Sequence, residues 1–151
     1  MEFEDAIASL GRDIGLDLVA EDGSVGFVAT SADGGERIDV SISAMDDGVS
    51  AVLCADLGAM PDKGSAQLML RMLEANHMFD STGGATLSVE DGRAKLERYV
   101  SIMALHRGEG AKIVPTFIET ARIWRRLIAD GERGDRDAGP RDGLAPWPPA
   151  V

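Results

Sequence analysis

Between positions 25 and 42 apolar residues recur at every second place, as Val25 and Phe27 in "SVGFVAT" and as Ile38, Val40 and Ile42 in "ERIDVSIS". A period of two belongs to a strand with one buried and one wet face, and a helix would scatter these groups around its axis. Between the two runs lies "SADGG", where Asp33, Gly34 and Gly35 supply a hairpin turn. A third run, "GVSAVLCADL", follows "AMDD". Three antiparallel strands in a meander are the economical reading, and their apolar face needs a cover.

Helices supply it. Phe3, Ala6, Ile7, Leu10 and Ile14 recur at spacings of three and four, with Glu2, Glu4 and Asp5 where the positive helix end favours carboxylates. Over positions 62–79 the period changes again. Leu68, Met72, Ala75 and Phe79 share one helical line, Met69 and Leu73 an adjacent one, and with Leu70 the apolar arc spans roughly 200 degrees, about twice the stripe needed to cover one sheet face. Such a helix is expected to pack on its own sheet and on a second copy of the protein.

The segment "EANHMFDSTGGATLSVEDGRAKLERY" reads as a helix exit followed by a hairpin. The helix runs out near Asn76 and His77, "STGG" breaks it, "ATLSV" is a strand, Asp-Gly turns the chain, and "AKLERYVSI" returns. The returning strand sets Ala94, Leu96, Arg98, Val100 and Ile102 on one side and Lys95, Glu97, Tyr99 and Ser101 on the other, so Arg98 interrupts an apolar face. A last helix carries Pro115 near its start and the stripe Ile113, Phe117, Thr120, Ala121, Trp124 and Ile128, with Glu119, Arg122, Arg125 and Arg126 opposite. From Gly131 onward Gly, Pro and charge dominate, so residues 131–151, Trp147 among them, are expected to form a flexible tail. Residues 1–130 then form one α+β domain, a small antiparallel sheet with three helices in the order α-β-β-β-α-β-β-α.

Composition narrows the function. The chain has 151 residues, room for a single core, with fifteen Lys and Arg against twenty-six Asp and Glu and a net charge of −11. The near-neutral tail leaves that acidity on the folded part, which disfavours nucleic acid and anionic membranes as partners. No run approaches the ~20 apolar residues of a membrane span. The acidic start "MEFEDAIASL" lacks the layout of a signal peptide, and the single Cys54 fits a reducing compartment, so a cytoplasmic location is expected.

Chemistry-bearing constellations are sparse. "STGGAT" has the glycines of a phosphate-cradling loop but precedes a strand, with no Gly-Lys-Ser/Thr after it, and reads as a turn. His77 and His106 have no second His or Cys at ligand spacing, so no metal site is assigned. Cys54 reads as a buried, inert thiol, and Asp46 and Asp47 as solvated loop carboxylates. No catalytic residue and no cofactor are assigned. Met69, Met72 and Met78 fit either core filling or an adaptable binding surface, and Arg98 either reaches water at a strand edge or answers an acidic group across an interface.

The runs "GLDLVAEDGSVGF", "AMDDGVSAVLCADLGAMPDKG", "LMLRMLEANHMFDSTGGATLSVEDGRAKLERY" and "FIETARIW" together resemble the class I type III secretion chaperones of the Tir chaperone type, over most of positions 3–128. The most specific part is Leu73, Glu74, Ala75 and Asn76 followed by Thr82 through Leu87. Met72 stands where the family usually has Leu, and His77 and Met78 where an aromatic or aliphatic pair is common. The resemblance implies a cytoplasmic α+β homodimer without enzymatic activity that keeps an N-terminal segment of a secreted effector extended and presents it to the secretion ATPase. An interaction or regulatory domain of the same fold with no secretion role shares the pattern. On the family reading, Leu68, Met69, Met72, Leu73 and Leu87 are candidates for the dimer interface. Phe3, Ile7, Val25, Phe27 and Ile38 are candidates for the effector-binding grooves.

Overall fold

The computed structural model of the protein describes residues 2–77 and 82–137. Nine elements follow in the order α1 (Phe3–Ile14), β1 (Ser24–Thr30), β2 (Arg37–Ala44), β3 (Ser50–Ala59), α2 (Ser65–Asn76), β4 (Thr86–Glu90), β5 (Arg93–Ser101), α3 (Ile102–His106) and α4 (Gly110–Asp137). The five strands make one sheet, ordered β1-β2-β3-β5-β4 and antiparallel throughout. The α+β class, the meander and the second hairpin are those expected.

Period two decides which side of the sheet is dry. Val25, Ile38, Val40, Ile42, Ala51, Leu53, Ala55, Leu57, Ala94, Leu96 and Val100 are buried on one face. α4 crosses that face over β3 and β2, and α1 packs on α3 and α4 beside it. Phe117, Ala121, Trp124 and Ile128 of α4 and Phe3, Ala6, Ile7 and Leu10 of α1 complete the core. Every opposite position, including Ser41, Cys54, Glu97 and Tyr99, remains at least partly exposed. Polar pairs occupy that wet face: Ser24 with Ser43 at 2.9 Å, Lys95 with Glu90 at 2.9 Å, and Arg93 with Asp56. An antiparallel sheet tolerates one solvated face.

Three expectations are revised. Ile102 does not extend the returning strand. Ser101 ends it, its hydroxyl accepting from the Ala104 N–H at 3.4 Å, and the capped turn α3 buries Ile102 and Leu105. Cys54 is only half-buried because it alternates onto the wet face, beside Ser41 and Glu97. Burial and the neighbouring Glu97 charge still push its thiol up, which disfavours the reactive thiolate. The last helix does not stop before Gly131: residues 131–137 continue α4, and the rest of the expected tail, with Trp147, lies outside the described residues.

The second hairpin turns on Asp91 and Gly92, both at positive φ (51° and 73°), the geometry of a two-residue turn matched to strand twist. α2 lies against β4, with Leu68, Met72 and Ala75 buried. Phe79, placed on its apolar line, and Met78, a candidate for core or binding surface, fall outside the described residues. Arg98 does interrupt the dry face. Half-buried there, it donates from Nη1 to the Gly83 carbonyl at 3.2 Å and so steadies the glycine turn leading into β4.

Candidate functional site: a free strand edge and an apolar helix face

Among the described residues β1 ends the sheet on one side, so half of its backbone groups have no ladder partner there. The Ala44 N–H donates to the Gly23 carbonyl at 2.8 Å, and the Ser31 N–H to the Glu36 carbonyl at 2.9 Å. With the register Val25↔Ile42 and Phe27↔Val40, odd-numbered residues bond to β2 and even-numbered ones turn outward. Ser24 is taken by a reciprocal pair with Glu21, at 3.0 and 2.8 Å. Gly26, Val28 and Thr30 remain, all exposed, with their N–H and C=O groups directed away from the sheet. These outward residues span positions 26–30 and can pair with about two pleat repeats of an added strand.

Beside this edge the cover of the dry face thins. Phe27 and Ala29 are only half-buried. Hydrogen bonds and an ion pair fasten the β1–β2 loop. Asp33 accepts from the Gly35 N–H at 3.1 Å and from the Ser31 hydroxyl, and these bonds, Ser31's first, hold its carboxyl below the usual carboxylate range. Arg126 of α4 reaches Glu36 at 2.9 Å and ties the hairpin to the helix layer. In the next loop Asp47 is exposed, as expected of a loop carboxylate, and also accepts from the Val49 and Ser50 N–H groups at 2.9 and 2.8 Å, which shapes the turn.

Of the five effector-binding candidates, Ile7 and Ile38 have 0% exposure, and Phe3 and Val25 are also core residues. The reason is geometric: their stripe is the one that α1, α4 and the sheet bury against each other. Only Phe27 keeps an accessible flank. The residues that sequence reasoning missed are Gly26, Val28 and Thr30, whose contribution is backbone and leaves no mark on side-chain pattern. Their signal was positional, since the first strand of a meander ends a sheet unless something later pairs with it.

The second surface lies on α2. Leu68, Met72 and Leu87 sit inside the protomer, Met72 with 3% exposure, whereas Met69, Leu70 and Leu73 are 40%, 57% and 65% exposed. The wide apolar arc thus divides into a face on β4 and a face on solvent. Contiguous apolar side chains of this size on a helix mark an interaction surface. Among the described residues no three His, Cys, Asp or Glu groups converge as a metal site, and no helix is long and apolar enough to cross a membrane.

The fold has known counterparts. The chain matches the sequence profile of the Tir chaperone protein (CesT) family over residues 5–125. The protein belongs to that family. By fold it is similar to a chain of the HopA1–SchA chaperone–effector complex, with a TM-score of 0.59, 13% identity, and 85% of this chain and 93% of that one covered. The Yersinia pestis type III secretion chaperone SycH, solved with a stable fragment of YscM2, gives a TM-score of 0.60 at 14% identity, covering 81% and 98%. A chain of the ExoU–SpcU complex from the type III secretion system of Pseudomonas aeruginosa gives 0.57 at 17% identity, covering 83% and 95%. No curated protein matches significantly by sequence. These three neighbours share the fold described above, and the first of them is solved as a chaperone–effector complex.

Proposed function

We propose that this CesT-family protein is a type III secretion chaperone that holds an N-terminal segment of a secreted effector extended and ready for export. The observation that carries the reading is the free β1 edge bordered by Phe27, in a chain of this family. An extended segment pairs with Gly26, Val28 and Thr30 through backbone hydrogen bonds, which give affinity with little demand on sequence. Its alternate apolar side chains reach over the half-buried Phe27 and Ala29, and this burial supplies the remaining free energy. No nucleotide and no catalytic group enter such a cycle, and the cytoplasm is where it operates. Two copies join through the outward stripe of α2, Met69, Leu70 and Leu73, with the buried Leu68, Met72 and Leu87 as the layer beneath. The loaded dimer is then presented to the export ATPase.

The test mixes the purified protein with candidate effector N-terminal fragments and follows amide exchange in both partners. The expected result is protection of the outward β1 amides and of a short client stretch, with the rest of the client unprotected. A client that binds only as a compact globule, leaving the β1 amides unchanged, overturns the reading.

A further inference from the structure

The two edges of the sheet are not equivalent. In the β4–β5 hairpin the two-residue turn makes Glu90 and Arg93 a bonded pair, so Thr86, Ser88 and Glu90 bond to β5 while Leu87 and Val89 turn their backbone groups to the outer edge. At Leu87 that edge is occupied. The Asn76 carboxamide, at the last residue of α2, accepts from the Leu87 N–H at 2.7 Å and donates from Nδ2 to the Leu87 carbonyl at 2.9 Å. A neighbouring antiparallel strand would make the same pair of bonds to Leu87 with one of its own residues.

We propose that Asn76 is the residue that closes the β4 edge to strand addition, leaving β1 as the edge an incoming strand joins. The chemistry requires a carboxamide. It carries a donor and an acceptor in one plane, as a peptide unit does, whereas a carboxylate only accepts and a hydroxyl has a single polar atom. The backbone supplies the position: Asn76 stands where α2 ends, with Leu68, Met72 and Ala75 of the same helix buried beside Leu87. Covering an edge with a helix is one of the ways sheets avoid unwanted pairing, and here one side chain completes it. Among the described residues no side chain is seen to pair with Gly26, Val28 or Thr30 in this way. This gives the Asn of the "LEAN" stretch a role that its place in a helix does not predict. The consequence for client placement rests on the function proposed above, but closure of the edge does not.

The experiment uses the full chain alone. In the wild-type protein the Leu87 amide is expected to exchange as slowly as interior-strand amides, while the Val28 amide exchanges as an open edge. Asn76→Ala is expected to speed Leu87 exchange about tenfold or more. An opened edge is a template for pairing, so the Asn76→Ala protein should assemble beyond the wild-type mass in light scattering. Adding Val89→Pro removes an outward N–H from the same edge without touching the β5 ladder, and should restore the wild-type mass. An unchanged mass in folded Asn76→Ala, or an increase that survives Val89→Pro, overturns the proposal. If Asn76→Ala does not fold, the wild-type exchange comparison decides, and a Leu87 amide as labile as that of Val28 refutes closure. Neither readout involves an effector, so failure here and failure of the chaperone reading remain distinguishable.

Discussion

Arg93 grips Asp56 across the β3–β5 ladder, with Nη2 2.9 Å from Oδ2 and Nε 3.1 and 3.2 Å from the two oxygens. Asp56 stands at the bulge where the register shifts between Asp56 and Gly58, and its Oδ1 also accepts from the Gly58 N–H at 2.9 Å. The carboxylate thereby fastens an irregular point of the sheet. Burial alone would push its proton affinity up, but the Arg93 and Gly58 hydrogen bonds with the Arg93 charge outweigh it and hold the carboxyl below its ordinary value of 3.8.

That depressed value has a definite sign. The ionised form is favoured by folding, so its contribution is present above the unfolded value and lost as pH falls through the folded one. Asp56→Asn should cost less than about 1 kcal/mol at neutral pH, because the pair is partly solvated. Urea melts of wild type and variant are expected to differ by a constant amount at neutral pH and to converge below pH about 4. A gap that widens in acid would contradict the assignment.

The division of the α2 arc gives two different outcomes for one type of change. Leu73→Glu puts a charge on an exposed stripe and should yield a folded monomer, seen as half the mass in light scattering with little change in melting temperature. Met72→Glu buries an unpaired carboxylate against β4 and should cost about 3 kcal/mol or more, unfolding the chain before any question of assembly arises. Equal melting temperatures for the two would mean that the inward and outward faces have been exchanged.

Backbone pairing at β1 is tested by proline. Val28→Pro removes an outward N–H while leaving the bonds to β2 in place, and should weaken binding of an effector fragment by about tenfold with the fold intact. Phe27→Pro removes an inward N–H and should destabilise the sheet itself. Unaltered fragment affinity in Val28→Pro would show that strand pairing is not used.

Gly11 offers a test of packing. It lies within α1, where alanine ordinarily gains about 1 kcal/mol over glycine. Here a Cβ would stand 2.6 Å from the Leu16 carbonyl oxygen, whose chain is fixed by the Leu16 N–H bond to the Gly11 carbonyl at 2.9 Å. Backbone has little room to yield. Gly11→Ala should lower the melting temperature despite its better helix propensity, by an amount corresponding to about 1–3 kcal/mol.

The fold was largely legible because its two periods are clean. Alternation located β1, β2 and β5, and spacings of three and four located α1, α2 and α4. α3 was hidden because Ile102 continues the alternation of β5, so parity and capping competed and Ser101 won. The surfaces were harder. A pattern of apolar residues says that a stripe is covered without saying by what, and so Ile7 and Ile38 read as groove lining when they face each other's layers in the core. Leu68, Met69 and Leu70, three apolar residues in succession, announced a helix with two partners, but only the rotation of α2 on β4 tells which side each residue serves.

Ser9 donates its hydroxyl to the His106 carbonyl at 3.2 Å across 97 positions of chain, and Leu10 lies where Gly110 leaves room for it. α1 therefore leans on two helices that are synthesised after it. While the β1–β3 meander is emerging, α1 has no α3 or α4 to rest against, and its Phe3, Ile7 and Leu10 stripe must wait exposed or in provisional company. Chains stalled before residue 110 should be cleaved by protease within α1, and completed chains should not. On the function proposed above, competence to hold an extended segment would then arrive abruptly with α4, because the core beneath the sheet is incomplete until that helix is made.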